Sequence, residues 1–181
     1  MKSVALIACL FLLPSVCLSQ TLCRAPEVDY FSCKTTTNEK IVSVCGNIAS
    51  EGIGQGGWLQ FRFGKMGATE LTYPTDRHDS FKKFEGNYFN KYGVVDLRFI
   101  SGKTLYSVSL NGKYSGADAR RRNSPSGGLT MQRGMAKLVS MSCQKINTQK
   151  YFQIYSDLNV SLRAYNGETD FLGHFYKYVS K

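Results

Sequence analysis

Residues 30–45 read YFSCKTTTNEKIVSVC, and this stretch decides the fold class. Its first part is aromatic and its last part, Ile41-Val42-Ser43-Val44, is rich in β-branched residues, and both compositions favour strands. The polar residues from Thr36 to Lys40 lie between these parts and predict a turn. The stretch therefore predicts a β-hairpin, with Cys33 and Cys45 placed almost symmetrically about the turn.

The pattern of strand followed by turn continues through the next hundred residues. Strand-like segments lie at residues 58–63, 70–73, 94–100, 104–110, 129–131 and 135–143, with turn signals at Pro74, Ser101-Gly102 and Asn111-Gly112 between them. The polar segment from Arg120 to Gly128 predicts a loop. We therefore predict a mainly β chain, either an antiparallel β-sandwich or an open β-barrel stapled by disulfides.

The first nineteen residues have the layout of a cleaved secretory signal. Lys2 precedes an apolar run over residues 4–13, Pro14 ends that run, and the small residue Ser19 stands before the predicted cleavage point. A membrane span needs roughly 20 apolar residues, so this run is too short to be one. We predict that the mature chain begins at residue 20, is periplasmic or secreted, and keeps no transmembrane segment.

Removal of the signal leaves four cysteines, Cys23, Cys33, Cys45 and Cys143. An even number in an oxidising compartment predicts two disulfides, for which three connectivities are possible. The hairpin favours a bridge from Cys33 to Cys45, which leaves Cys23 and Cys143 to join the two ends of the domain. This pairing divides the mature chain into a β-domain at 20–143 and a C-terminal extension at 144–181, packed on the domain or continuing it.

The mature chain is strongly basic. The full sequence has 23 Lys and Arg against 13 Asp and Glu, so losing Lys2 leaves 22 against 13, a net charge of +9. Such a surplus favours anionic partners, whether an envelope polymer or an acidic protein, while export argues against intracellular nucleic acid. The run Arg120-Arg121-Arg122 is the most concentrated charge and stands on a predicted loop, where it would bind carboxylates or phosphates. The alternative is incidental charge on a mobile loop.

Asp76-Arg77-His78-Asp79 is the one place where a histidine and carboxylates cluster in the sequence. It is a candidate general base or weak metal site, although a charged turn after Pro74 is the favoured interpretation. The sequence has no Cys-x-x-Cys pair and none of the local motifs of serine hydrolases, zinc proteases or P-loops. We therefore expect no catalytic residue, metal or cofactor, with a secreted hydrolase using scattered carboxylates as a weaker alternative.

Several segments resemble small secreted or periplasmic bacterial β-domain proteins of unknown function. They are FSC at 31–33, VCG at 44–46, WLQFRFGK at 58–65, ELTYP at 70–74 and LVSMSC at 138–143. This resemblance implies a bacterial envelope or secreted setting, and it implies no particular activity.

The aromatic-x-Cys near the mature start and the late cysteine also resemble the membrane-bound lysozyme inhibitor family. Members are small β-barrels that insert a Ser-Gly-x-x-Tyr loop into the lysozyme cleft, which makes Ser115 and Gly116 candidate binding residues. Here Ala117-Asp118-Ala119 follows them, so the tyrosine is missing, and Tyr114 lies on the wrong side of the motif. The basic charge of the chain also opposes binding to a basic lysozyme.

These observations predict a non-enzymatic binding protein of the bacterial envelope or the secreted fraction. The favoured role is binding or inhibition of another protein, as an inhibitor or immunity factor, through Ser115, Gly116 and the three consecutive arginines. The alternative is a basic protein that binds envelope polyanions, which the positive net charge of the chain favours.

Overall fold

A computed structural model describes residues 20–47, 57–89, 94–111, 126–148, 150–151, 153–154 and 162–164. These residues form ten strands: β1 (Val28–Thr35), β2 (Ile41–Gly46), β3 (Leu59–Lys65), β4 (Ala68–Tyr73), β5 (Glu85–Phe89), β6 (Val94–Ser101), β7 (Thr104–Asn111), β8 (Ser126–Arg133), β9 (Val139–Asn147) and β10 (Leu162–Ala164). A single 3-10 turn, Ser80–Lys83, separates β4 from β5. The predicted mainly β fold is confirmed.

All ten strands belong to one curled sheet, in the order β10-β5-β6-β7-β8-β9-β1-β2-β3-β4. Strands β1 to β9 pair antiparallel with their neighbours, and the hairpin predicted from residues 30–45 is the β1–β2 pair. The short strand β10 pairs with β5 in parallel. Of the two predicted architectures, the structure is therefore the open, half-closed barrel.

A group of stacked aromatic rings holds the curl closed. The Phe99 ring lies between the rings of Tyr73 and Tyr106, at centroid distances of 4.6 Å and 4.9 Å, and Phe61 packs 4.8 Å from Phe99. Phe61 and Tyr73 belong to β3 and β4, whereas Phe99 and Tyr106 belong to β6 and β7, which are distant in the sheet order. These rings therefore join the two halves of the sheet across the core.

Cys23, Cys33, Cys45 and Cys143 form two disulfides, but the predicted pairing is wrong. Cys23 is bonded to Cys45, and Cys33 is bonded to Cys143. The two cysteines of the hairpin are not opposite each other, because Cys33 pairs with Val42 while Cys45 pairs with Asp29. Side chains alternate between faces along a strand, so Cys33 points into the core with Phe31 and Cys45 points to the outer face.

This pairing removes the disulfide argument for a boundary at residue 143. Strand β9 continues to Asn147, and Asn147 pairs with Ser32 of β1. Tyr151 and Ile154 are fully buried in the core, and the Tyr151 hydroxyl donates to the Val108 carbonyl at 2.8 Å. The chain directly after Cys143 is thus part of the barrel's own core.

Other local predictions need smaller corrections. The predicted loop from Arg120 to Gly128 ends earlier, since β8 begins at Ser126, and the strand predicted from Met135 begins only at Val139. Strand β5 was not predicted, because its sequence, EGNYF, contains a glycine and an asparagine that disfavour strands.

The N-terminal strap, residues 20–27, covers the outer face of β1, β2 and β3. The Cys23–Cys45 disulfide fixes it to β2, and the Leu22 amide donates to the Ser43 hydroxyl at 2.9 Å. The Arg62 guanidinium donates to the Leu22 carbonyl at 2.8 Å. The strap therefore buries polar side chains that a solvent-facing sheet would expose.

Among the described residues, no helix is long and apolar enough to cross a bilayer.

We expect Gly64→Ala to destabilise the fold more than Gly67→Ala. Both glycines have positive φ, which costs a residue with a Cβ about 1–3 kcal/mol. A Cβ on Gly64 would also lie 2.5 Å from the Ala68 carbonyl oxygen, whereas nothing lies within 4 Å at Gly67. This overlap adds a further cost of about 1–3 kcal/mol. Urea unfolding of the two variants measures the difference, and equal losses would contradict the tight β3–β4 register.

Candidate functional site

A buried carboxylate, Glu27 of the N-terminal strap, lies at the centre of a polar cluster on the outer face. The two terminal guanidinium nitrogens of Arg62, Nη1 and Nη2, donate to the Glu27 carboxylate at 2.6 Å and 2.9 Å. The Arg77 guanidinium donates to the same carboxylate at 2.7 Å. The Arg24 backbone amide supplies a fourth hydrogen bond at 2.7 Å. The Glu27 side chain is only 7% exposed. The carboxylate is therefore held in one position by two guanidinium groups and the backbone.

The same cluster orients Arg77 at the protein surface. Its guanidinium carbon lies 4.0 Å from the centre of the Trp58 ring, a stacked cation-π geometry. Its Nε donates to Gln60 Oε1 at 3.3 Å, and the Gln60 amide in turn donates to the Pro74 carbonyl at 2.8 Å. The Arg77 side chain is still 49% exposed. We call Trp58 and Arg77, with the supporting residues Glu27, Gln60 and Arg62, the Trp58–Arg77 platform.

Local sequence explains why these side chains converge. Gln60 and Arg62 alternate with Leu59, Phe61 and Phe63, so when the apolar residues fill the core the polar ones face outward, under the strap. Trp58 precedes β3, and its backbone is fixed by Asn47, whose side chain accepts from the Trp58 amide at 2.8 Å. Arg77 follows Pro74 in the turn after β4, the neighbour of β3.

The electrostatics of the platform favour an ionised Glu27. Burial alone would raise the pKa of Glu27, but hydrogen bonds from Arg62 and from the Arg24 amide, with the charges of Arg62 and Arg77, outweigh it and hold that pKa below 4.5. Two guanidinium groups then face one carboxylate. The cluster has one excess positive charge, presented to solvent by the exposed half of Arg77.

The two carboxylates of the turn Asp76-Arg77-His78-Asp79 are bound by groups of the turn itself and of the residues that follow it. Asp76 accepts from the His78 backbone amide at 2.9 Å, and Asp79 pairs with Lys82 at 2.6 Å. The Lys82 hydrogen bond and charge, with the nearby His78, lower the pKa of Asp79. Within the described ranges, no three His, Cys, Asp or Glu side chains gather in a way that would hold a metal ion. Arg77, rather than the histidine, is the residue of this turn that enters a larger site.

A second buried ion pair lies on the outer face of β6. Arg98 donates to Asp96 at 2.7 Å, and both side chains are largely buried. Burial raises the pKa of Asp96, and the Arg98 charge opposes that rise without cancelling it. This pair lies away from the strap.

The binding residues predicted from the sequence fall in a part of the chain that the structure does not describe. Ser115, Gly116, Arg120, Arg121 and Arg122 lie between Asn111, the end of β7, and Ser126, the start of β8. Asn111 and Ser126 are paired across the β7–β8 ladder, so the connection that carries these residues leaves and re-enters the sheet at one point. Their role stays a prediction.

The platform itself was not found by sequence reasoning. Glu27, Gln60, Arg62 and Arg77 are far apart in the chain and have no motif spacing. The single tryptophan, Trp58, was the available signal, because aromatic and arginine side chains are enriched at binding surfaces.

No protein-family model, no curated protein and no solved structure matches this chain.

Proposed function

We propose that this protein acts outside the cytoplasm as a non-enzymatic module that binds another protein through the Trp58–Arg77 platform. The observation that carries the proposal is the fixed presentation of Arg77, stacked on Trp58 and hydrogen-bonded to a buried carboxylate, while half of it remains exposed. Tryptophan and arginine dominate the binding energy of protein interfaces. A side chain that is already ordered also loses less entropy when a partner binds.

Export and an oxidising compartment fit the same proposal. Two disulfides stabilise the fold, and disulfides persist outside the reducing cytoplasm. The Cys23–Cys45 bond, with the hydrogen bonds of Leu22 and Glu27, holds the strap that carries Glu27. The secretory layout of residues 1–19 supports delivery to the periplasm or the medium.

The chemistry of the platform specifies the kind of partner. The excess positive charge and the flat Arg77–Trp58 stack match a surface that offers a carboxylate beside an aromatic or apolar side chain. An inhibitor or immunity protein would bind such a surface on its target enzyme or toxin.

Binding of a protein partner from envelope and secreted fractions tests this proposal. We expect saturable binding to the mature protein and a loss of about 30-fold in affinity for Arg77→Ala or Trp58→Ala, which corresponds to a hot-spot loss of about 2 kcal/mol. Arg77→Lys keeps the charge but loses the planar stack, so its affinity should fall as well.

Two further variants make the result specific. Lys65→Ala removes an exposed cation from the far end of β3, and it should bind like the parent protein. The triple variant Arg120→Ala, Arg121→Ala and Arg122→Ala tests whether the β7–β8 connection adds to the same interface. The proposal is wrong if no partner binds saturably, or if partner affinity is the same in Arg77→Ala, Trp58→Ala and Lys65→Ala.

Binding to an envelope polyanion is the second candidate function, and the charge distribution favours it. Residues 119–156 contain seven Lys and Arg and no Asp or Glu. Purely electrostatic binding weakens steeply as salt rises, whereas binding through the platform should depend less on salt. A salt titration with the isolated polymer separates the two functions.

A further inference from the structure

The β8–β9 hairpin presents an unusual combination of apolar and basic side chains. Met135 is 83% exposed, and Leu138 and Val139 are each 51% exposed. Together with Met66, these are the exposed large hydrophobic residues of the described chain. Three of the four therefore lie within five consecutive residues of one turn.

The cations around this turn are also concentrated. Arg133 and Lys137 are exposed within the hairpin, and Lys103 is exposed in the β6–β7 turn beside it. Thr104 pairs with Arg133, so the two turns lie next to each other at the same end of the strands. Along the chain, the acidic residues nearest to the hairpin are Asp118 and Asp157. In space, Glu39 stands in the β1–β2 turn beside β9, where Lys34 pairs with it at 2.9 Å. We call residues 133–139, with Lys103, the basic-apolar tip.

The exposed apolar side chains lie beyond the part of β9 that contacts its neighbour. Thr36 donates to the Ser142 carbonyl at 2.9 Å, and Asn38 of the β1–β2 turn donates to Met141 Sδ at 3.7 Å, so these contacts reach Met141. Met135, Leu138 and Val139 precede that point in the chain and are exposed. An apolar turn bordered by cations matches the boundary between anionic headgroups and acyl chains.

We propose that the basic-apolar tip docks the protein on the surface of an anionic lipid bilayer. Arg133, Lys137 and Lys103 contact the headgroups, and Met135, Leu138 and Val139 enter the boundary between headgroups and acyl chains. The charge of the tip is complementary to an anionic surface and unsuited to a neutral one. This docking is independent of the Trp58–Arg77 platform, which is built on β3, the turn after β4 and the strap.

Co-sedimentation of the mature protein with vesicles tests the proposal. We expect binding to vesicles of phosphatidylcholine mixed with phosphatidylglycerol, and much weaker binding to phosphatidylcholine alone. Each cation near the surface accounts for about a five-fold change in affinity, so Arg133→Gln with Lys137→Gln should weaken binding by roughly 25-fold. The matched control is Lys145→Gln with Lys150→Gln, which removes the same charge. Lys145 stands six residues along β9 from Val139, about 20 Å in an extended strand.

A second pair of measurements separates insertion from simple attraction between charges. Met135→Ser with Leu138→Ser keeps every charge and should reduce vesicle binding, while leaving binding to a soluble polyanion such as dextran sulfate unchanged. Met135→Trp should add fluorescence that shifts to shorter wavelength when the anionic vesicles are present. The proposal is overturned if the two serines leave vesicle binding unchanged, if the control pair weakens it as much as the tip pair, or if the added tryptophan shows no shift.

Discussion

Replacing Cys33 and Cys143 together by alanine is expected to lower the free energy of unfolding by about 4.8 kcal/mol. The bond closes a loop of 110 residues, and the entropy that a crosslink removes from the unfolded chain rises with loop length. Cys33 is also fully buried among the core residues, so its replacement removes packing as well. Denaturation in urea, monitored by Trp58 fluorescence, measures the loss.

The other disulfide provides the control for this prediction. The Cys23–Cys45 bond closes a loop of 22 residues, for which the same relation gives about 3.4 kcal/mol. Its double alanine variant should therefore unfold at a higher urea concentration than the Cys33/Cys143 variant. The reverse order would show that the 110-residue loop is not the one that holds the barrel together.

The second large effect concerns Glu27. We expect Glu27→Gln to lower the free energy of unfolding by about 3–5 kcal/mol at neutral pH, because it leaves Arg62 buried without its carboxylate. Glu39→Gln is the control, since Glu39 is exposed and pairs with Lys34 at 2.9 Å on the surface. Water and salt screen such an exposed pair, so it contributes little to stability. A loss for Glu27→Gln no larger than that of Glu39→Gln would contradict the buried network.

The effect of Glu27 should depend on pH in a defined direction. Because its pKa is lower in the folded protein than the ordinary value of 4.5, its stabilising effect is complete above that value and is lost as the pH falls through the folded pKa. The difference in unfolding free energy between the parent protein and Glu27→Gln should therefore shrink on acidification. Comparing the two proteins cancels the titration of the other carboxylates. A difference in unfolding free energy that does not change with pH would rule out this linkage.

Most of the strands follow from local sequence. The β-branched residues of β2, the alternation of β3 and the glycine-containing turn after β6 each predict their element, and the sheet forms there. Strand β5 is the exception, because EGNYF has weak local preference for a strand. It pairs with Arg98 to Val94 of β6 on one side and with β10 on the other, so its partners rather than its composition determine it.

The disulfide pairing was not predictable from symmetry about the turn. The register offset between β1 and β2, with an irregularity between Asp29 and Phe31, places Cys45 opposite Asp29 rather than opposite Cys33. A shift of the strand register by one residue moves a side chain to the other face of the sheet. The spacing of the cysteines in the sequence does not reveal that register. The sequence therefore predicted the number of bonds and not their connectivity.

The candidate site was hidden for a related reason. Alternation in β3 normally places polar residues such as Gln60 and Arg62 in solvent, yet they are buried here because the N-terminal strap covers them. The Cys23–Cys45 bond and the contacts of Leu22 and Glu27 hold that cover in place. No local pattern brings Glu27 next to Arg62 and Arg77.

The measurement that tests this structure most directly is non-reducing peptide mapping of the oxidised protein. Trypsin separates the four cysteines, since Cys23, Cys33, Cys45 and Cys143 lie in peptides that end at Arg24, Lys34, Arg62 and Lys145. The structure predicts that the peptide ending at Arg24 is linked to the peptide 41–62, and that 25–34 is linked to 138–145. A link between 25–34 and 41–62 would contradict the strap, the platform that it supports and the function proposed for it.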